Sequence, residues 1–244
     1  MTLKQIRAAA SEAIQLLSKN TFTWLVAILI FLILSEVMMF IPYVGFLVKL
    51  LVASLLAAGI IGMFWHASTS ANPKLGEVFS GFKLPIAGQI TLFVSVAIPF
   101  AIGIVYLYAQ AGQLGVAYFF GNILRDKPPA KDLFVAFKTI MYLVATPLVF
   151  VGATVVLKRL SGFEAFKVAT GAALRHWQAI FILLVMNLTF EQVLVITAEV
   201  MPEVTTVIVT VSLLLLYIAW SSAFSYTLAV RALSLVRETP GAAT

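Results

Sequence analysis

The sequence predicts an all-α fold: a polytopic transmembrane helical bundle of six spans, with short amphipathic interfacial helices preceding spans one, three and five. Three observations carry this reading. Hydrophobic residues make up 62% of the 244 residues and charged residues 11%, whereas about a quarter of a soluble domain is charged. A soluble fold of this content would expose apolar patches large enough to aggregate. The apolar runs are continuous, as at 24–34 and 204–220, not alternating over about ten residues as in a membrane β-barrel. Finally, two-faced segments lead into some of those runs, most clearly over 161–200. There Phe163, Phe166, Ala169, Ala173 and Trp177 share a helical face, Glu164, Lys167 and Arg175 bring charge to the rest, and an apolar stretch long enough to cross a bilayer follows.

Residues 3–18 predict the first of these short helices. Leu3, Ile6, Ala10, Ile14 and Leu17 form its apolar stripe, and Lys4, Ser11, Gln15 and Lys19 lie away from it. Residues 1–20 are too polar and too long for the n-region of a signal peptide, and no small-residue cleavage site follows, so the first span is expected to stay in the mature protein. That span covers 22–40, with Trp24 near one interface. Pro42 and Gly45 make a tight reversal. The second span, 45–65, ends in Ala57, Ala58, Gly59 and Gly62, small residues that allow close helix approach.

The second short helix is LGEVFSGFK, with Leu75, Val78, Phe79 and Phe82 spaced for one face. The third span covers 86–108 and the fourth 137–157, with kinks expected at Pro99 and Pro147. Between them, 109–132 is the least regular segment, loosened by Gly112, Gly115 and Gly121 and stopped by Pro128-Pro129. Its stretch 116–124 is too short to cross and is read as interfacial, with a re-entrant segment or a continuation of the third helix as alternatives. The fifth and sixth spans cover 177–198 and 204–228, joined by a turn at Met201-Pro202. The whole chain, 1–244, reads as a single membrane domain. Aligning Glu12, Glu77 and Glu164 gives a possible three-fold repeat of 3–66, 74–157 and 161–231.

Basic residues set the threading. With the N-terminus inside, the cytoplasmic side holds Lys4, Arg7, Lys19, Lys74, Lys83, Lys158, Arg159, Lys167 and Arg175, together with Arg231 and Arg237. That is eleven of the 16 basic residues. Arg125, Lys127, Lys131 and Lys138 are the outer exception. The first nine are candidates for binding lipid headgroups, because a net charge of +6 spread around apolar runs fits anionic lipid and not nucleic acid.

LGEVFSGFK before the third span, the span containing Pro147, and FEAFKVATGAALRHWQAIF before the fifth resemble the YciC-like families of six-span bacterial inner-membrane proteins. The likeness covers most of the chain. It implies a multi-pass inner (cytoplasmic) membrane protein with cytoplasmic termini, and it brings no reaction and no catalytic residues.

Ionisable groups inside spans are costly and point to function. Glu36, Lys49 and Glu191 stand out, the last beside Asn187 and Gln192, all toward the outer side. A pairing of Lys49 with Glu36 or Glu191 would offset the cost of low dielectric. One reading is a polar cavity for an ion, proton or solute. The other has Glu36 and Lys49 reaching water at a turn and Glu191 bonding a neighbouring helix. His66 and His176, each beside a tryptophan, have no metal-ligand spacing. There are no cysteines, which excludes disulfides and thiolate chemistry. No GxSxG, P-loop or kinase signature occurs, and no cofactor or metal is expected.

These residues lead to a non-enzymatic inner-membrane protein, a partner-binding or scaffolding subunit that engages lipid through its cytoplasmic amphipathic helices. Its partners would be anionic lipids and another membrane protein or a second copy of itself. The alternative is a small transporter or channel-like protein.

Overall fold

In the computed structural model, residues 1–41, 44–69, 72–119, 131–200 and 203–235 are described. Outside them lie Pro42 of the first reversal, most of the stretch 116–124, Arg125 and Lys127, the Met201-Pro202 turn, and Arg237. Every regular element among the described residues is helical.

The first helix, α1 (Leu3–Lys19), starts in a capping box. The Thr2 hydroxyl accepts from the Gln5 N–H at 3.4 Å, and the Gln5 side chain accepts from the Thr2 N–H at 2.8 Å. Helix α2 (Thr21–Val37) continues through a 3-10 turn, and α3 (Gly45–Thr69) returns. A nine-residue 3-10 helix, Leu75–Lys83, leads to α4 (Ile86–Phe119). The fourth span is α5 (Lys131–Ala145) and α6 (Val151–Leu157), divided by a 3-10 turn at Thr146–Leu148. After α7 (Gly162–Arg175) come α8 (Trp177–Val200) and α9 (Glu203–Ala232).

Among the described residues, six helical segments are long and apolar enough to cross a membrane: Thr21–Phe40, Gly45–Thr69, Ile86–Gln113, Val135–Leu157, Trp177–Thr197 and Thr205–Ala232. They coincide with the six spans read from sequence. Pro147 breaks its helix as expected, because it removes a donor and clashes with the preceding turn. Pro99 lies within a helical run of α4, and α4 is interrupted at Gly112, one of the glycines that loosen 109–132. Its φ of 62° and ψ of −155° suit glycine alone.

Successive spans alternate in direction, so the starts of α2, α4 and α8 share one end of the bundle with the ends of α3, α6 and α9. All three short helices cap that end. The Asn20 amide donates to Asn72 Oδ1 at 3.2 Å, the Gly162 N–H donates to Thr91 Oγ1 at 2.7 Å, and the Met1 amine meets His176 Nδ1 at 2.7 Å.

Small residues seat the caps. Helix α1 buries Ile6, Ala9, Ala13 and Leu16, and α7 buries Ala165, Ala169, Ala172 and Ala173. The 3-10 helix buries Val78 and Gly81. Its backbone lies so close to α3 that a Cβ on Gly59 would strike the Val78 carbonyl, and one on Gly81 the Leu55 carbonyl. Trp24, expected as an interfacial anchor, is buried in protein instead. It stacks on Phe64 at 4.3 Å, Phe64 stacks on Tyr226, and the indole N–H donates to the Leu16 carbonyl at 3.1 Å. The Thr227 hydroxyl donates to the Ala9 carbonyl at 3.0 Å, fixing α1 to α9 as well.

Candidate functional site

The apolar face of each cap proves to be two faces. The small residues of α1, the 3-10 helix and α7 face the bundle, because their size lets backbones approach. The large ones face away: Leu3, Ile14, Leu75, Phe79, Phe82, Phe163 and Leu174 are all exposed, Phe163 at 83%. The stripe read from sequence in α1 therefore splits. Ile6 docks, Leu3 and Ile14 point outward, and Ala9, Ala13 and Leu16 do the remaining docking.

Beside these exposed apolar residues sit the basic ones. Lys4, Arg7, Lys19, Lys74, Lys83, Lys158, Arg159, Lys167 and Arg175 are all exposed. None forms an ion pair with another described residue. Arg231 differs. It meets Glu12 at 3.0 Å in a polar cleft of about 490 Å³ that Ser11, Lys19 and Ser68 also line.

Charges within the spans behave in the opposite way. Glu36, in the last turn of α2, meets Lys49, in the first turns of α3, at 2.6 Å. The Glu36 side chain is 61% exposed, so this pair brackets the hairpin and does not enter the bundle. Glu191 is only 16% exposed. Lys138 Nζ donates to Glu191 Oε2 at 2.5 Å, and the Tyr142 hydroxyl donates to Glu191 Oε1 at 2.7 Å. One helical turn before Glu191, Asn187 Oδ1 accepts from Tyr217, whose ring stacks on Phe190 at 3.7 Å. Gln192 is exposed and joins neither contact.

The structure thus brings Glu36 and Lys49 together and keeps both from Glu191. Lys138 and Tyr142 were not singled out as partners of Glu191. Their i, i+4 spacing on one strongly apolar helix was the available signal, and it matches the i, i+4 spacing of Asn187 and Glu191.

Between the spans lies a cavity of about 420 Å³. Tyr142 and Asn187 line it, with Ser54, Ser95, Thr146, Ser221, Ser222 and Ser225 among apolar neighbours, and Pro99 at its wall. Neither Glu36 nor Lys49 reaches it. Several hydroxyls already bond their own helix, Ser54 to the Leu51 carbonyl and Thr146 to the Tyr142 carbonyl.

The histidines stand apart. His66 Nδ1 lies 3.1 Å from Glu77 Oε1, and Glu77 Oε2 is buried with no hydrogen-bond partner among the described residues. Partial burial, then the Met1 ammonium and Arg175, hold His176 below the ordinary imidazole range. No cluster of three or more His, Cys, Asp or Glu among the described residues could hold a metal ion.

Six apolar spans around a shared core, with charge confined to their ends and to paired sites, define an integral multi-pass membrane protein. No protein-family model, no curated protein and no solved structure matches the chain.

Proposed function

We propose that the chain is a non-enzymatic partner-binding or scaffolding subunit of the bacterial inner membrane, which holds anionic lipid on its cytoplasmic face. One observation carries this reading. At the capped end, exposed large apolar residues lie beside exposed cations that no described carboxylate neutralises. An interface of acyl chains and anionic headgroups complements both features at once. The excess of basic residues near that end supports a cytoplasmic placement for it and for both termini. The resemblance to YciC-like proteins supports the inner membrane. The partner would be another membrane protein or a second copy of this chain.

The absence of cysteine makes single-cysteine labelling direct. A fluorophore at Phe82→Cys or Phe163→Cys is expected to be quenched by brominated lipid, and more strongly when the lipid is anionic. The membrane protein recovered after mild detergent extraction should be the same in successive preparations. Labels at the two positions reporting opposite sides of the bilayer would overturn the reading.

The second reading is a small transporter, and the cavity of about 420 Å³ beside the Glu191 network favours it. Its test is solute- or proton-dependent flux in liposomes, with Glu191→Gln as the variant. A folded Glu191→Gln protein with unchanged flux removes it.

A further inference from the structure

The fifth and sixth spans bury the smallest shares of their apolar windows, 11% and 17%. At their capped end, a groove of about 700 Å³ runs between them and α1. Ile182 and Met186, one turn apart on α8, form part of its floor, and Trp220 and Phe224, one turn apart on α9, form the rest. The two rings stack at 5.3 Å, giving a flat wall. Lys4 and Arg7 line the same groove from α1, three residues apart and so on one side of that helix. Both are exposed, and neither pairs with a described carboxylate.

We infer that this groove is a seat for one anionic diacyl phospholipid, with its phosphate on Lys4 and Arg7 and an acyl chain along Ile182, Met186 and Trp220. The seat rests on the reading that the capped end lies in the bilayer surface, and it names the ligand of one cap. Charge selects the occupant. A protein segment covering the groove would have to supply acid to the two cations, whereas the phosphodiester of an anionic lipid does so and its chain fills the apolar part. The floor continues in the direction an acyl chain would take. Val193 and Ile196, further along α8 near the face of Ile182 and Met186, are exposed large apolar residues.

The experiment is native mass spectrometry of the full chain in detergent, with equal amounts of phosphatidylglycerol and chain-matched phosphatidylcholine. The wild type is expected to retain one phosphatidylglycerol in preference. Each cation contributes about fivefold near a membrane surface, so Lys4→Gln with Arg7→Gln should lower the preference by roughly an order of magnitude or more. Exchanging the two as Lys4→Arg with Arg7→Lys should keep it. Met186→Trp, which fills the floor and leaves both cations in place, should reduce retention of either lipid. Glycerol phosphate, a headgroup without chains, should not compete. If it competes fully, the site takes a bare anion and the seat is wrong. If the Gln pair keeps full preference while Lys167→Gln with Arg175→Gln loses it, the groove is wrong and lipid binding by the caps stands. If the wild type shows no preference and the Phe163 label is unquenched, both fall.

Discussion

Lysine plays two opposite parts at the two ends of this bundle. At the capped end, Lys4, Lys74, Lys83 and Lys167 are exposed and pair with no described residue. Toward the other end, Lys49 and Lys138 each hold a carboxylate, at 2.6 and 2.5 Å. The difference follows from what surrounds each group. Within a span desolvation makes an unpartnered charge costly, most of all for the half-buried Glu191, which Lys138 and Tyr142 satisfy. A cation at the membrane surface has water and anionic headgroups within reach. Apolar residues divide in the same way. The caps press alanine and glycine against the bundle and turn phenylalanine and leucine outward, because small side chains let helices approach and large ones suit lipid. One end leaves its cations and large apolar residues exposed, and the other pairs its charges within the protein.

The largest expected effect comes from removing the more buried carboxylate. Glu191→Ala removes the half-buried carboxylate that Lys138 and the Tyr142 hydroxyl share, leaves the Tyr142 hydroxyl without that acceptor, and should destabilise the protein by about 3 kcal/mol. Thermal melting in detergent measures this. Combining Glu191→Ala with Lys138→Met should recover much of the loss, since removing both charges is far milder than removing one. A single variant as stable as the wild type would mean that the Glu191 site carries little of the stability, and the contrast between the two ends would shrink.

Seating of the caps comes next. Gly81→Ala drives a Cβ into the Leu55 carbonyl, a backbone atom that cannot turn aside. Overpacking of this kind costs about 1–3 kcal/mol. The loss should appear as a lower melting temperature together with faster proteolysis near residues 75–83. Gly76→Ala, where a Cβ meets nothing nearby, is the matched control. Equal stability of the two variants would show that the 3-10 helix is not held by close approach.

How far these features were legible in the sequence depends on whether a local pattern decides them. Span positions were legible, because twenty or so apolar residues have no other stable fate. The break at Pro147 was legible from covalent geometry alone. The interruption at Gly112 was legible in the glycines of 109–132, whereas Pro99 lies within a helical run, because a proline inside a span removes one hydrogen bond and need not stop the helix. Which part of each cap docks on the bundle was not legible, for a general reason. Helical spacing finds apolar stripes, but the exposed Ile14 and the buried Leu16 look alike to it. The small-residue pattern Ala9, Ala13 or Ala165, Ala169, Ala172 was the better signal. For Glu191 the sequence showed a charge that needed help, and not which of five other spans would help it. Tyr142 and Lys138 lie 49 and 53 residues away, and only the packing of α5 on α8 brings them there.

The hairpin pair should matter much less than the deep one. Glu36 is largely exposed, so Glu36→Gln leaves Lys49 able to reach water, and the expected loss is about 0.5 kcal/mol. It should shrink further at high salt, because exposed pairs are screened. A loss as large as that of Glu191→Ala would place Glu36 in low dielectric and blur the distinction between the two pairs.

His176 offers the finest test, because it sits at the capped end yet is held by protein contacts. Partial burial, the Met1 ammonium and Arg175 all disfavour its charged form. Its folded-state pKa therefore lies below the unfolded value of about 6.5, so the unfolded chain binds the extra proton first. The stabilisation linked to a neutral His176 is fully present above about pH 6.5 and is lost as pH falls through the lowered folded value. Melting temperatures of wild type and His176→Gln, taken between pH 8 and 5, isolate this contribution from that of the carboxylates. The difference between the two proteins should narrow on acidification. A constant difference would mean that the imidazole titrates alike in both states, and that the Met1 contact does not hold the start of α1 against α7.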